Sequence, residues 1–308
     1  MHILISGSSG LIGSDLVTAL TSAGQRITRL VRRAPEPGRS EVRWDPLAGS
    51  LEGSALEGLD AVVHLSGANI AGRWNPRKKA LIRESRVRGT SLLCEKLAAL
   101  GQPPKVLVAA SAIGYYGDQG AQVLDEERPA AGDFLGAVCA AWEAAAQPAR
   151  ERGLRVVHLR FGVVLSPRGG ALARMLLPFK LGLGGVVGPG TQYLSWIALD
   201  DAVGAIQHAL ASASLQGPAN AVAPNPVTNL TFTKTLGKVL GRPTFLPMPV
   251  FAAHLAFGEM ADALLLSSTR VEPKRLVADG FSFRFPELEG ALRHVLGKQE
   301  PSSRPANS

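Results

Sequence analysis

The sequence predicts an α/β fold: a doubly wound, mostly parallel sheet covered by helices on both faces, with a smaller C-terminal lobe. Three observations predict it. Short, continuous apolar runs alternate with longer amphipathic ones through the first 165 residues. The first run leads directly into Gly7-Ser8-Ser9-Gly10-Leu11-Ile12-Gly13, and that turn leads directly into a helical pattern. Three helical patterns each stop just before a glycine (Gly24, Gly101 and Gly153), the residue that most easily takes up a left-handed cap.

Taken in order, His2–Ser6, Arg26–Val31, Ala61–Ser66, Lys105–Ala110 and Arg155–Leu159 read as strands, since they are β-branched, unbroken and bounded by Gly, Pro or charge. Unbroken apolar strands suit a sheet buried on both faces. Between them the pattern predicts helices over Ser14–Ala23, Pro76–Leu100 and Phe134–Arg152. After Leu165 the rhythm changes. Residues 167–190 are rich in glycine and proline, and Ser195-Trp196-Ile197 leads into a helix that holds Asp200 and Asp201, read as capping residues. A strand near Ala219–Val222, four prolines (Pro224, Pro226, Pro243, Pro247) and two helical patterns complete a smaller unit. The expected division is a nucleotide-binding domain over 1–165, with 193–215 returning to it. The lobe takes 166–192 and 216–298, and 299–308 is a frayed polar tail.

Composition narrows the function. The chain has 308 residues, 46% hydrophobic and 19% charged, which fits a globular protein of roughly two units. Only Cys94 and Cys139 occur, both in apolar helical runs, so a secreted disulfide framework and a multi-cysteine metal site are excluded. The opening residues do not read as a signal peptide. The most lipid-like stretch, Val250 to Leu266, is interrupted by His254, Glu259 and Asp262 and reads as a packed amphipathic helix, not a membrane partner. A cytoplasmic location is expected.

Net charge is +8, and seven cations fall between Arg73 and Arg88 against Glu84 alone. Nucleic-acid binding would need aromatic stacking platforms or a groove-entering motif, and only Trp74 is near, so no nucleic-acid partner is expected. The plainer reading of the stretch is a solvated helix face; the functional one is attraction for an anionic cofactor or substrate. The six histidines are scattered without metal-ligand spacing, and His64 and His158 read as satisfied core residues.

The strand–turn–helix at the N-terminus carries chemistry. Gly7 permits a tight turn, Gly10 lets backbone approach a pyrophosphate, and Gly13 lets the helix pack on the strand. The helix N-terminus then presents free N–H groups to phosphate, so Gly7, Ser8, Ser9, Gly10, Leu11, Ile12 and Gly13 are candidate dinucleotide ligands in a Rossmann-type domain. The second strand ends in Arg32-Arg33, where an NAD site usually has a carboxylate. A guanidinium can grip a 2′-phosphate, so the expected cofactor is NADP(H).

These segments, with others in the same order, resemble the extended short-chain dehydrogenase/reductases. Trp44-Asp45 resembles a family segment whose Asp45-equivalent meets the adenine. Leu65-Ser66-Gly67 resembles the cofactor-side end of a strand, and Arg86-Val87-Arg88-Gly89-Thr90 a helix segment in which Arg86 replaces asparagine. Ser111 and the following Tyr115-Tyr116-Gly117 resemble the catalytic serine strand and loop, and Arg160-Phe161-Gly162 a later cofactor-side segment. Over nearly the whole chain the resemblance is to a branch named epimerase family or NAD-dependent epimerase/dehydratase proteins. Ser111–Asp118, Trp142–Ala145, Ala223–Thr228 and Gly280–Phe283 carry it.

The resemblance implies an oxidoreductase or epimerase acting on a polar hydroxyl or carbonyl, sugar-nucleotide-like substrate, with an anionic one in keeping with the basic stretch. Homodimers are common in such families. The family's Tyr-x-x-x-Lys pair is missing: the matching helix offers Phe134/Val138 or Leu135/Cys139. Ser111, Tyr116 and Tyr115 are the remaining candidate catalytic groups, with Tyr116 as a proton donor assisted by Arg86 or Lys79, or both rings simply packed beside the nicotinamide ribose. The alternative function is a weakly catalytic or inactive NADP(H)-binding sensor that presents a surface to a partner.

Overall fold

The computed structural model describes residues 1–298; the tail expected over 299–308 lies outside them. The strands are β1 (His2–Ser6), β2 (Arg26–Val31), β3 (Glu41–Asp45), β4 (Ser50–Leu51), β5 (Ala61–His64), β6 (Val106–Ala112) and β7 (Val123–Leu124). They continue as β8 (Arg155–Phe161), β9 (Val163–Leu165), β10 (Tyr193–Leu194), β11 (Trp196–Ala198), β12 (Gly217–Ala221), β13 (Val227–Thr228) and β14 (Arg270–Val271). Eight form one sheet in the order β12-β8-β6-β5-β1-β2-β3-β4. All of its pairings are parallel except that of β4 with β3. Chain order runs one way from β1 through β3 and the other way from β5 through β12. The strand order therefore reverses between β1 and β5, the place where open α/β sheets leave a crevice for ligands.

Side-chain alternation along each strand sorts the core into two layers. Ile3, Ile5, Ala61, Val63, Val106 and Val108 pack with α1 (Leu11–Ser22) and the helix carrying Ala202 and Ile206. Leu4, Val62, Leu107 and Val156 pack on the opposite face with α2 (Pro76–Ala98). Two further helices were expected as one. α3 (Phe134–Ala144) ends and α4 (Gln147–Glu151) begins afresh, because Pro148 lacks the N–H that a continuous helix would use and fits best in a first turn.

A third core lies apart from these two layers, where α5 (Gly170–Lys180) and a helix bearing Phe232 and Leu236 surround Trp196. That second helix is α7 (Asn229–Leu240), and α6 (Leu199–Ala211) precedes it. α8 (Val250–Phe257) follows, and among the described residues no helix is long and apolar enough to cross a membrane.

Three expectations need correcting. The strand assigned to the lobe, β12, is the edge of the main sheet and pairs with β8, so the break expected at 216 falls beside a sheet strand. Asp200 and Asp201 do not cap α6, whose N-cap is Ala198. Asp201 is buried and accepts the backbone N–H groups of Arg284 (2.8 Å) and Phe285 (3.0 Å), while Asp200 pairs with Arg284 and His294. Val250–Leu266 is not one packed amphipathic helix: α8 stops at Gly258 (φ +60°), and Ala253 is its only buried residue.

Candidate functional site

The glycine-rich turn and the end of β5 meet at the switch point. Gly7 has φ +70°, and a Cβ there would lie 2.8 Å from the Leu65 carbonyl carbon. A Cβ at Gly13 would lie 2.2 Å from the Gly7 oxygen. Both positions therefore admit glycine alone. Gly10 caps α1 with no side-chain acceptor, and no acidic residue stands in the first turn, so the leading amides of Leu11, Ile12 and Gly13 are left for an outside anion. Ser8 is buried and Ser9 exposed beside them. This cradle fits a pyrophosphate.

The two arginines after β2 differ. Arg33 grips Glu41 in a two-pronged contact (2.9 and 2.7 Å) and reaches Glu36 at 2.9 Å. Arg32 is exposed, with no ion pair or side-chain hydrogen bond among the described residues. The expected pair is thus a single available cation. Asp45 accepts the N–H groups of Leu47 and Ala48, a local turn that also fixes the loop after β3. Arg86 lies along the loop after β5, donating to the Ala68 and Ile82 carbonyls (3.2 and 3.0 Å), and Gly67 faces its guanidinium.

Beneath this crevice Ser6, His64, Thr90 and Trp142 form a buried hydrogen-bonded chain with steps of 2.6, 3.0 and 2.9 Å. Burial lowers the His64 pKa to about 4, so its ring is neutral. His158 is also pushed down to about 4 by burial, but it is not the satisfied residue expected: its Nε2 meets Arg150 while its buried Nδ1 has no partner.

The candidate catalytic oxygens share one network. Ser111 Oγ donates to Glu143 Oε1 at 2.7 Å, and Arg160 holds both Glu143 oxygens at 2.8 Å. Arg160 also donates to the Tyr116 hydroxyl (2.9 Å), which donates to Asn220 Oδ1 (2.7 Å). Burial alone would raise the Glu143 carboxyl, but Arg160 and Ser111 overcome it and hold the group below its ordinary range. Burial pushes the Tyr116 phenol up to about 12, which its contacts with Arg160 and Asn220 only partly oppose.

The cation beside Tyr116 is therefore Arg160, not Arg86 or Lys79; Lys79 is bound to Glu259 at 2.6 Å. Tyr116 and Ser111, both fully buried and both committed to protein acceptors, are poor proton donors to a ligand. Arg160, expected against the cofactor, is 2% exposed and spent on this network; Phe161 is likewise buried, and Gly162 packs against Ser195. Of the three candidate catalytic groups, Tyr115 is the one whose hydroxyl has no partner among the described residues, with the Arg160 guanidinium 3.5 Å from its ring centroid.

At the positions of the missing pair, Phe134 rests against Trp74 and under the Lys79 ammonium, and Leu135 packs on Gly114. Val138 and Cys139 are buried. Sequence reasoning missed Glu143, Asn220 and Arg270. A lone carboxylate in the apolar run Val138–Ala146 was a usable signal for Glu143; nothing local marks the other two. Arg270, on β14, stacks over Tyr193 at 4.9 Å, and its buried Nε lacks a partner.

Residues 3–222 match the NAD dependent epimerase/dehydratase family, and residues 248–295 match a domain of unknown function, DUF1731. An epimerase family protein of Mycobacterium bovis is 45% identical over 294 residues, covering 95% of this chain and 97% of that one. The human epimerase family protein SDR39U1 is 39% identical over 300 residues, covering 96% and 100%. A crystal structure of that human protein with NADPH superposes with a TM-score of 0.89 at 37% identity, covering 97% of this chain and 100% of that one. A Corynebacterium glutamicum nucleoside-diphosphate sugar epimerase gives 0.79 at 38% identity, covering 98% and 59%. From the glycine cradle to the end of β12, this chain belongs to the NAD dependent epimerase/dehydratase family.

Proposed function

We propose that the protein binds NADP(H) in the crevice between β1 and β5 and acts there as an oxidoreductase or epimerase on a polar hydroxyl or carbonyl compound. One observation carries the reading: a turn that admits only glycine at Gly7 and Gly13 opens beside Arg32, a cation without an ion pair among the described residues where an NAD-specific site uses a carboxylate. The NADPH named for the human relative's structure supports it. The turn's amides would hold the pyrophosphate and Arg32 the 2′-phosphate, with Asp45 toward the adenine. Residues 65–67 and Arg86 would line the nicotinamide half. When bound, the cofactor supplies or accepts hydride; this chain's residues orient the substrate and deliver the proton.

Geometry favours Tyr115 for that proton, with Arg160, Glu143, Ser111 and Tyr116 bracing its ring. Arg270 would meet an acidic group of the substrate, consistent with a sugar-nucleotide class such as that named for the Corynebacterium relative. The reading includes a cytoplasmic setting, in which Cys94 and Cys139 stay buried thiols.

Parallel fluorescence titrations with NADPH and NADH test it. NADPH should bind the wild type more tightly, and Arg32→Ala should lose about 10-fold or more for NADPH while NADH is little changed. Equal wild-type affinities would sink the assignment. The locked hydroxyls of Ser111 and Tyr116 favour a second reading, a cofactor sensor without turnover. NADPH oxidation on carbonyl and sugar-nucleotide panels that Tyr115→Phe abolishes separates the two; no turnover on any panel leaves the sensor.

A further inference from the structure

The lobe exposes an apolar face that the proposed function leaves unused. Residues 177–188 run beside 243–250: Gly188 N–H donates to the Met248 carbonyl at 2.9 Å and Met248 N–H to Val186 at 2.8 Å. From the first segment Leu177, Leu181 and Leu183 face outward; from the second and α8, Phe245, Phe251 and Leu255 do so. Each of the six is 56 to 80% exposed. Phe251 and Leu255 stand one turn apart on α8, whose sequence VFAAHLAF has His254 as its single polar side chain. A helix apolar all round is one that folded proteins normally cover.

Beside this face lies a recess of about 440 Å³. Leu176, Leu240 and Leu296 contribute its apolar floor, and Lys180, Arg242 and Lys298 stand at its exposed rim with no carboxylate among the lining residues. None of these three cations has an ion pair among the described residues. Lys180 stands one turn from Leu177 on α5, and just past it a Cβ on Gly182 would meet Pro243, next to Arg242, at 3.6 Å, so the recess adjoins these two segments. The carboxylates nearest the far end of α8, Glu259 and Asp262, are already held by Lys79 and His254.

Charge decides what covers such a face. A second copy docked through a twofold axis would bring three unpaired cations against the same three. An anionic bilayer satisfies both halves: apolar side chains enter the acyl boundary while the cations meet phosphate groups.

We propose that this lobe docks on an anionic lipid surface, with Phe245, Phe251 and Leu255 inserted and a headgroup phosphate seated among Lys180, Arg242 and Lys298. No described helix is both long and apolar enough to cross a bilayer, so the proposed contact is peripheral.

Sedimentation of the full chain with sucrose-loaded vesicles tests the proposal. The protein should pellet with phosphatidylcholine vesicles containing about 30% phosphatidylglycerol, stay in solution with phosphatidylcholine alone, and be largely released at about 0.5 M salt. Phe251→Ser/Leu255→Ser and Lys180→Glu/Arg242→Glu should each lower the bound fraction about 10-fold at unchanged melting temperature. All four positions are exposed, so the fold should tolerate them. Equal binding to neutral vesicles, binding unaltered in both variants, or no pelleting at low salt overturns the proposal. So does concentration-dependent dimerisation that the Phe251→Ser/Leu255→Ser change abolishes.

Discussion

The Glu143 carboxylate answers to a guanidinium and a hydroxyl at once, and through Arg160 it is tied to the Tyr116 hydroxyl as well. Its removal strands a charge. Arg160 is 2% exposed, and in Glu143→Gln its guanidinium would keep one neutral acceptor where it had an anion. Breaking a buried pair from one side costs about 3–5 kcal/mol, so urea unfolding of Glu143→Gln should show a loss of that order. A loss under about 1 kcal/mol would mean that Arg160 finds another partner. Gly13→Ala offers a cleaner local case: its new methyl would press on the Gly7 carbonyl and should abolish NADPH binding, read by the same fluorescence titration.

The glycine turn was legible in the sequence because its geometry is fixed by residues six apart. The Glu143–Arg160 pair was not, because it joins α3 to β8 and only packing brings them together. Arg33 likewise gave no local sign that Glu41, on the next strand, would claim it.

Elements were read most surely where the apolar run was long. β1, β2 and α1 sit within a few residues of expectation, whereas β3 and β4 were missed, since both are short and of their residues only Trp44 and Leu51 are buried. The helix thought to span Phe134–Arg152 broke where Pro148 demands a new first turn. Asp201 shows how an element end can mislead. Read as a cap, it instead ties the segment Arg284–Phe285 onto α6 through two backbone N–H groups. Asp201→Ala would leave both donors unmet, at a cost of about 2–4 kcal/mol. Hydrogen exchange should show the Arg284 and Phe285 amides losing protection well before those of β1. Unchanged protection there would refute the tie.

For the whole molecule, two buried imidazoles set an acid limit. His64 and His158 bind protons near pH 4 when folded and near 6.5 when unfolded. Between those values the unfolded chain takes up protons that the native one refuses, so stability present above pH 6.5 is lost as pH falls toward 4. Each ring forfeits on the order of 3 kcal/mol across that window. Denaturant midpoints measured from pH 7.5 to 4.5 should fall, and less steeply in His64→Gln; a flat profile would contradict the neutral rings.

The sheet itself ends at two unlike margins. On one, β4 is only Ser50–Leu51; on the other, β12 carries Pro218, which has no amide hydrogen, and whose carbonyl is occupied by Arg275 at 2.9 Å. Neither border offers an incoming strand a usable ladder of donors and acceptors. Growth of the sheet from molecule to molecule is thereby blocked at both ends, and a concentrated solution of folded chains should resist fibril formation even though strands such as Val106–Ala112 are apolar through most of their length.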